Sequence, residues 1–318
     1  MSWSLRSSRE PRNKKWKMMT FHQPVLLEAC VEGLAIKPDG IYVDVTFGGG
    51  GHATAIAQRL KDGKLFGFDQ DKAATMNINK IKDVSFTLIR ANFRHMKKYL
   101  KAHGVNKVDG VLADLGISSY QIDTPERGFS TRFEATLDMR MDKDNLLTAE
   151  EIVNNYGQTQ LQRVFGQYGE VRNAKTLAMA IVRERTLQPI KTVEQLKSIL
   201  KKLAPRKGYN RYFAQVFQAL RIEVNDELQA LQDLLLQCSQ VIAKGGRLAV
   251  ISYHSLEDRL VKNFMNNGNF FGGPVKDFYG NQERPFRPVF RKPIRANATE
   301  VAHNSRARSA KLRIAEKL

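Results

Sequence analysis

A run of glycines between two aspartates carries the first chemical signal in this sequence. Residues 41–45 alternate and are rich in β-branched side chains, glycines follow at 48–51, and helical spacing of apolar residues resumes at Ala53. A strand, a tight turn and a helix in this order open a nucleotide-type βαβ unit, in which glycine lets a ligand approach the backbone. Asp69, about 20 residues further on at the end of the next strand, is placed to bind ribose hydroxyls.

Asp44, on the strand before the turn, indicates which ligand the turn suits. A dinucleotide brings a pyrophosphate, which needs backbone N–H groups and no anion nearby. S-adenosylmethionine instead brings a sulfonium and an α-ammonium, and a carboxylate attracts both positive charges. The position of Asp44 therefore favours S-adenosylmethionine over the cofactor of a dinucleotide oxidoreductase. A carboxylate that only caps the turn is the structural alternative.

Two further strands end in residues that could line the same site. They are predicted at 84–89 and 108–113 and are followed by Phe93 and Asp114. Four strands that alternate with helices predict a parallel, doubly wound, Rossmann-like α/β sheet. In such a sheet a ligand binds at the carboxyl ends of the strands. We therefore expect these residues and the two earlier aspartates to share one crevice.

Helical signals replace the strand–helix alternation after Asp114. Capping-box sequences begin at Thr148 and Thr192, and apolar residues recur at helical spacing around both. The sequence therefore predicts an all-helical, substrate-recognition domain inserted into the α/β domain. The predicted divisions are a basic flexible arm at 1–20, the α/β domain in two parts at 21–135 and 223–318, and the insert at 136–222.

The α/β pattern returns near the C-terminus. A helix that ends at Gly245 and Gly246 is predicted to lead into a fifth strand at 247–252. Residues 309–315 alternate and predict a closing antiparallel strand. The stretch 270–292 shows little periodicity, and no element is predicted in it.

A net charge of +19 over 318 residues sets this chain apart from an ordinary globular protein. Such an excess concentrates polyanions, so nucleic acid is the leading partner and an anionic membrane surface the second. Cys30 and Cys238 are the only cysteines and lack metal-ligand spacing, which predicts neither disulfides nor a metal site. No apolar stretch resembles a secretory signal or a membrane span, so a cytoplasmic location is expected.

Two stretches interleave basic and aromatic residues, a pattern that suits the phosphates and unstacked bases of RNA. We define the insert patch as Lys201, Lys202, Arg206, Lys207, Tyr209, Arg211 and Tyr212. We define the tail patch as Arg284, Phe286, Arg287, Phe290, Arg291 and Lys292. Either patch alone could be a solvated face, but next to a ligand crevice in a basic chain both predict an RNA-binding surface.

Seven longer motifs together resemble one protein family, and they occur along the chain in the same order as in that family. They span residues 44–52, 114–121, 126–130, 137–141, 217–225, 252–259 and 304–313. As a set they are similar to the bacterial small-subunit ribosomal RNA cytosine-N4 methyltransferases of the RsmH or MraW type. The resemblance runs from about Phe21 to the C-terminus.

The resemblance implies transfer of a methyl group from S-adenosylmethionine to the exocyclic N4 of one cytidine in the decoding region of 16S ribosomal RNA. It implies that the following residues bind the cofactor: Gly50, Gly51, His52, Asp69, Phe93, Asp114 and Gln121. The sequence departs from the family at Gly49, where a larger residue is frequent, and at Tyr253, where Phe is common. Neither departure is expected to touch a group that the chemistry requires.

Asp114 and His254 are the candidate catalytic residues. Methylation of an amino group needs acceptors for its hydrogens as charge develops. Asp114 or the segment 118–119 would supply them, unless Asp114 serves only the cofactor. His254, at the end of the fifth strand, is either a general base or a structural residue.

Two other functions remain open from the sequence, a DNA cytosine-N4 methyltransferase and a non-catalytic RNA-binding assembly factor. The sequence also leaves open which nucleotide is modified and whether naked ribosomal RNA or an assembled small subunit is the substrate. Formation of a homodimer is likewise undecided.

Overall fold

The computed structural model of the chain describes residues 24–81, 84–276, 279–280 and 284–318. The basic arm predicted at residues 1–20 lies outside these ranges, as does the start of the family resemblance at Phe21. Cys30 and Cys238 are both free and buried. Among the described residues, no helix combines the length and the apolar character needed to cross a bilayer.

One mixed sheet forms the centre of the described chain. Its strands are β1 (Ile41–Asp44), β2 (Lys64–Asp69), β3 (Ser85–Arg90), β4 (Val108–Asp114), β5 (Ile242–Ser252), β6 (Phe286–Pro288) and β7 (Lys311–Lys317). Their spatial order is β3-β2-β1-β4-β5-β7-β6. Strands β1 to β5 pair in parallel, whereas β7 is antiparallel to both of its neighbours. The predicted doubly wound α/β fold with an antiparallel closing strand is confirmed.

Strands β1 and β4 pair in parallel at the middle of the sheet. The chain builds the sheet outward in one direction from β1 and in the opposite direction from β4. From this point the chain progresses outward to β2 and β3 on one side and to β5 on the other. Such a switch point opens a crevice at the carboxyl ends of the strands. Asp44 ends β1, Asp69 ends β2 and Asp114 ends β4. The three aspartates predicted at strand ends therefore lie along one edge of the sheet.

Helices cover both faces of the sheet. On one face pack α1 (Leu27–Leu34), α2 (Gly51–Ala57) and a 3₁₀ turn at Ser305–Arg308. On the other pack α3 (Met96–Ala102), α10 (Glu227–Val241) and α11 (Ser255–Asn267). Shorter connecting elements are α4 (Ser119–Asp123), α12 (Ala298–His303) and 3₁₀ turns at Lys72–Lys80, Phe93–His95 and Pro125–Arg127. Because both faces are covered, the central strands are near-continuous apolar runs.

A group of helices between β4 and β5 has an apolar core of its own. These helices are α5 (Ala149–Asn155), α6 (Gln158–Gln167), α7 (Ala174–Leu187), α8 (Val193–Leu203) and α9 (Tyr209–Asn225). Their buried cluster runs from Phe129 to Val224 and is separate from the clusters on the sheet. The inserted helical segment is confirmed. Its boundaries at 136 and 222 stay a prediction, and the cluster extends beyond both.

Both predicted capping residues begin helices. The side-chain oxygens of Thr148 and Thr192 accept the N–H groups of Glu151 and Gln195 at 3.1 and 3.2 Å. Gln195 completes its capping box by accepting the Thr192 N–H at 3.0 Å. The carboxylate of Glu151 instead accepts a hydrogen bond from Asn155. One predicted box is therefore complete and the other is half formed.

The predicted start of the fifth strand is wrong by several residues. The helix α10 ends at Val241 and β5 begins at Ile242, so Gly245 lies inside the strand with φ of +78°. The register with β4 jumps between the pairs Val108–Ile242 and Gly110–Arg247. The glycines that predict a helix end therefore form a bulge, which also needs positive φ.

The strand β6 is the other difference from the prediction. It has three residues, pairs with β7 among the described residues and ends in Pro288. A strand this short shows no alternation, and proline, which has no N–H, is tolerated at a sheet edge. Its pattern therefore carries no strand signal.

Candidate active site

The end of β1 places a buried carboxylate before the glycine turn. Asp44 is 1% exposed, and its Oδ1 accepts the Thr46 N–H at 3.0 Å. Its Oδ2 is buried and has no hydrogen-bond partner among the described residues. Burial raises the pKa of Asp44 to about 6, because a buried charge is poorly solvated. A cationic ligand is the group that would satisfy this oxygen.

The glycine turn is open on one side and closely packed on the other. Gly48 and Gly50 have φ of +48° and +77°, a conformation that favours glycine. A Cβ on Gly51 would lie 2.3 Å from Cγ of Pro24, whereas a Cβ on Gly49 would meet no atom within 4 Å. The departure from the family at Gly49 therefore leaves open space beside the turn.

Asp69 joins the end of β2 to the glycine turn. Its Oδ2 accepts the Gly48 N–H and its Oδ1 accepts the Asp71 N–H, both at 2.8 Å. Burial raises the pKa of Asp69 to about 6. Each carboxylate oxygen keeps a second lone pair. The side chain can therefore still accept the ribose hydroxyls that the sequence predicts for it.

Asp71 is the centre of a buried network. Its Oδ2 accepts hydrogen bonds from Nη1 of Arg127 at 2.7 Å and from Nε2 of Gln121 at 2.8 Å. Nη2 of Arg127 donates to the carbonyl oxygens of Arg140 and Met141 at 2.8 and 3.0 Å. One guanidinium thus connects the crevice to the segment that leads into the helical insert.

Gln121, which the family resemblance implies as a cofactor contact, is bonded at both ends of its amide. Besides donating to Asp71, it accepts the Ser118 N–H at 3.0 Å and completes a capping box at the start of α4. Its side chain is buried. Its role toward the cofactor stays a prediction.

Asp114 lies between two residues from distant parts of the chain. Its Oδ1 accepts the Tyr253 hydroxyl at 2.7 Å, and its Oδ2 is 3.9 Å from Nδ1 of His52. Burial raises the pKa of Asp114 to about 7. The expectation that Tyr253 touches no group required by the chemistry is wrong, because its hydroxyl reaches a candidate catalytic carboxylate.

His52 presents an acceptor to Asp114. Its Nε2 lies 3.0 Å from the carbonyl oxygen of Val25, so this nitrogen carries the hydrogen and donates it. Burial lowers the pKa of His52 and keeps the ring neutral, which leaves Nδ1 as an acceptor. Two acceptors thus face each other, with Asp44 close enough to act on the pKa of His52. The α-ammonium of S-adenosylmethionine, a positive group with three donors, fits this arrangement.

His254, the other candidate catalytic residue, caps α11. Its Nδ1 accepts the Glu257 N–H at 3.4 Å, and its Nε2 is 3.2 Å from Oε1 of Glu257. Burial alone would raise the pKa of Glu257, but His254 and Arg221 hold it below the usual value. Both ring nitrogens therefore face Glu257, an arrangement that favours the structural role over the general-base role.

Glu227, His254 and Glu257 have ligand atoms within 4.8 Å of one another, close enough for one metal ion. However, both oxygens of Glu227 accept hydrogen bonds from Arg221, at 2.8 and 2.9 Å. We therefore assign Glu227 to an ion pair with Arg221 and not to a metal site.

Phe93 lines a cavity at the carboxyl ends of the strands. From the sheet side the cavity is lined by Thr46, Gln70, Asn92, Phe93, Leu115 and Gly116, and from the other side by Met141, Asn225, Glu227, Ala230, Leu231 and Glu257. Asn225 holds the second wall, since it accepts the Met141 N–H at 2.7 Å and donates to the Met139 carbonyl at 2.8 Å. The cavity offers apolar side chains, three amide groups and the carboxylates of Glu227 and Glu257. Amide groups beside apolar walls suit an adenine ring.

The strand-end carboxylates, the glycine turn and this cavity form one continuous edge of the sheet. A family model described as the MraW methylase family matches residues 19–318. The chain belongs to the MraW methylase family. It is therefore a methyltransferase, and S-adenosylmethionine is the cofactor of this class.

Relatives in the MraW methylase family are similar over nearly the whole chain. The ribosomal RNA small subunit methyltransferase H of Cytophaga hutchinsonii is 59% identical over 93% of this chain and 99% of its own. The protein of the same name from Flavobacterium johnsoniae is 56% identical over 94% of this chain and 99% of its own. Among solved structures, an rRNA methylase from Streptococcus thermophilus has 11% identity and a TM-score of 0.39, covering 91% of this chain and 93% of its own. A likeness of that size carries no functional argument.

Sequence reasoning missed three residues of this MraW methylase site. Asp71 lies only two residues after Asp69, Arg127 lies in the motif 126–130, and Tyr253 lies in the motif 252–259. The motifs contain all but Asp71, but they do not show which side chains meet. The contacts of Arg127 and Tyr253 become visible only in the folded chain.

Proposed function

We propose that the chain methylates the exocyclic N4 of a cytidine in small-subunit ribosomal RNA, with S-adenosylmethionine as the methyl donor. The observation that carries this proposal is the group of acceptors at the glycine turn, formed by Asp44 Oδ2, His52 Nδ1 and Asp114 Oδ2. This group suits a cationic cofactor and would repel a pyrophosphate. The family and the names of the relatives support ribosomal RNA as the substrate, and the family resemblance supports the N4 position.

The cofactor is proposed to lie along the edge formed by the glycine turn and the strand ends. We propose Gly50, Gly51, His52, Asp69, Phe93, Asp114 and Gln121 as its contacts. When bound, S-adenosylmethionine supplies an electrophilic methyl group. The chain contributes the alignment of the target amino group and an acceptor for its hydrogens.

Asp114 is the proposed acceptor for the target amino group. The alternative acceptors on the segment 118–119 are neutral hydroxyls, which are weak bases, and each already accepts one hydrogen bond: Ser118 Oγ from the Gln121 N–H at 3.2 Å and Ser119 Oγ from Arg306. Oδ1 of Asp114 is held by Tyr253, and Oδ2 faces the crevice from a side chain that is 26% exposed. N4 must release one proton when it takes a methyl group. Oδ2 has two lone pairs, so it can receive this proton while it also accepts a hydrogen bond from the α-ammonium of the cofactor.

The RNA is proposed to contact the helical insert, which we regard as the substrate-recognition domain, and the tail patch. Tyr212 of the insert patch and Phe286 of the tail patch are buried, so neither side chain is available to contact RNA. Phe286 packs 6.2 Å from the ring of Phe264 in the core beside the sheet. The remaining basic residues of the insert patch are exposed, and Phe290 in the tail patch is 52% exposed. The patches therefore offer phosphate contacts more than stacking surfaces.

The helix α9 links the insert patch to the crevice. It has 17 residues and therefore spans about 25 Å. Tyr209 begins it within the insert patch, and Asn225 ends it at the wall of the cavity. An RNA that reaches both ends must extend over this length, which suits a structured ribosomal RNA better than a single nucleotide.

Reversing two charges of the insert patch is expected to weaken RNA binding and to leave cofactor binding unchanged. In the variant Lys207→Glu with Arg211→Glu, each lost phosphate contact should reduce the slope of log K against log salt concentration by about 1. Binding of a small-subunit RNA fragment is measured by fluorescence anisotropy at several salt concentrations. Cofactor binding is measured by calorimetry.

The matched control is Lys61→Glu with Lys101→Glu, which changes the net charge equally. Both lysines are exposed and lie at the amino end of the sheet, before β2 and β4. Equal loss of affinity in both variants would show that net charge, and not the insert patch, determines binding.

The proposed function is tested by methyl transfer from radiolabelled S-adenosylmethionine to small ribosomal subunits that lack the modification. Product nucleosides are identified by mass, and label on N4-methylcytidine is expected. Subunits that already carry the modification are the control and should accept no label. Label on another nucleoside, or on DNA instead of RNA, would overturn the proposal. Naked ribosomal RNA is tested in parallel, because it is the alternative to the assembled small subunit as the substrate. We propose that the enzyme acts in the cytoplasm.

A further inference from the structure

Tyr253 is the residue of the crevice to which neither the motifs nor the family resemblance assigns a role. It follows β5, and its hydroxyl donates to Oδ1 of Asp114 at 2.7 Å, the usual length of an O–H···O hydrogen bond. Its backbone N–H donates to Oε2 of Glu257 at 2.9 Å, and its ring would lie 3.5 Å from a Cβ on Gly116. The ring also packs against the apolar cluster on this face of the sheet, which holds the side chain with its hydroxyl on the carboxylate.

We propose that Tyr253 is a positioning residue that orients Asp114 and favours its ionised, proton-accepting form. The inference rests on the proposed function for its consequence in catalysis, but the Tyr253–Asp114 contact stands without it. A phenol that donates to one carboxylate oxygen stabilises the ionised form and leaves the other oxygen free. Oδ2 is therefore the oxygen that remains for the amino group of the target or of the cofactor.

Several groups around Asp114 influence its charge. Those that face it are His52 on α2, Asp44 at the end of β1, Cys30 on α1, Glu257 on α11 and Arg306 in the C-terminal 3₁₀ turn. Burial is the largest influence and raises the pKa of Asp114 to about 7, with Glu257 adding to the rise. The Tyr253 hydroxyl and Arg306 act in the opposite direction. Of these two, the hydroxyl is in direct contact with the carboxylate.

The variant Tyr253→Phe removes one oxygen atom and keeps the ring that packs against Gly116. Phe is common at this position in the proteins that the sequence resembles, so the variant is expected to fold. Loss of one hydrogen bond to a charged group should raise the Asp114 titration midpoint by about one pH unit. The acidic limb of the pH–rate profile should move to higher pH by the same amount, while the rate at high pH stays close to that of the wild type.

The titration is measured first in the free protein. Carboxyl ¹³C resonances of labelled aspartate are followed against pH in the wild type and in Tyr253→Phe, and Asp114→Asn identifies the resonance of Asp114. The control Tyr99→Phe removes a hydroxyl from α3 and should leave the midpoint unchanged. An equal midpoint in the wild type and in Tyr253→Phe would overturn the inference, because a purely structural phenol would alter only stability.

Single-turnover methyl transfer over the same pH range then tests the consequence for catalysis. A displaced acidic limb in Tyr253→Phe supports the positioning role, and an unmoved limb contradicts it. If the wild type transfers no methyl group at any pH, the proposed function fails, whereas the titration of the free protein still decides the Tyr253–Asp114 contact. The two failures are therefore distinguishable.

Discussion

Replacing Asp114 by Asn is expected to lower the rate of methyl transfer at least about a hundredfold, the usual effect of removing a proton acceptor or a charged group that stabilises the transition state. The amide keeps the size of the side chain and can still accept the Tyr253 hydroxyl, which lies 2.7 Å from Oδ1. It loses the negative charge that faces His52 across 3.9 Å. The rate is measured in single turnover at saturating cofactor.

The dependence on cofactor concentration separates the two roles considered for Asp114. A fall in kcat at saturating cofactor indicates an acceptor for the target amino group, whereas a rise in KM for S-adenosylmethionine alone indicates a cofactor contact. Asp62→Asn, an exposed change at the amino end of the sheet, is the control and should retain full activity. Unchanged turnover in Asp114→Asn would refute both roles.

Replacing Arg127 by Ala is expected to lower the free energy of unfolding by about 3 to 5 kcal/mol, the range for breaking a buried ion pair on one side. The side chains of Arg127 and Asp71 are 2% and 10% exposed and lie 2.7 Å apart. The change leaves the Asp71 carboxylate buried without its cation. It also removes the donor to the carbonyl oxygens of Arg140 and Met141. Equilibrium unfolding in urea measures the difference.

Arg132→Ala is the matched control for that experiment. The ion pair of Arg132 with Asp123 is 3.2 Å long, and the two side chains are 62% and 48% exposed. Its loss should cost less than about 1 kcal/mol. The double variant Arg127→Met with Asp71→Asn should recover part of the stability, because no charge is left unpaired. A similar loss in Arg127→Ala and Arg132→Ala would contradict the role of the buried network.

The strand-end residues could be predicted because their signals are local. Alternation identifies strands β1 and β4, the helix-length spacing after the glycine turn places β2, and parallel strands bring their carboxyl ends to one edge. Asp44, Asp69 and Asp114 therefore had to meet at that edge once the sheet was recognised. The glycine turn follows equally from local backbone requirements, as the positive φ of Gly48 and Gly50 shows.

The sequence-based predictions that proved wrong are those in which one local pattern is compatible with two different structures. Gly245 allows positive φ, which suits a helix end as well as the bulge that it forms in β5. The tail patch combined exposed cations with Phe286, and composition alone does not show that its ring belongs to the core. In both places the packing of neighbouring elements decides the outcome.

The sequence by itself determined the alternation of strands and helices along the chain, the glycine turn and the aspartates at the strand ends, because these depend on periodicity and on backbone conformation within a few residues. The tertiary structure decided which side chains meet at that edge. The contact of Tyr253 with Asp114 joins residues 139 positions apart, and the contact of Arg127 with Asp71 joins residues 56 positions apart. Such contacts depend on how strands and helices pack against each other, and no local pattern records that geometry.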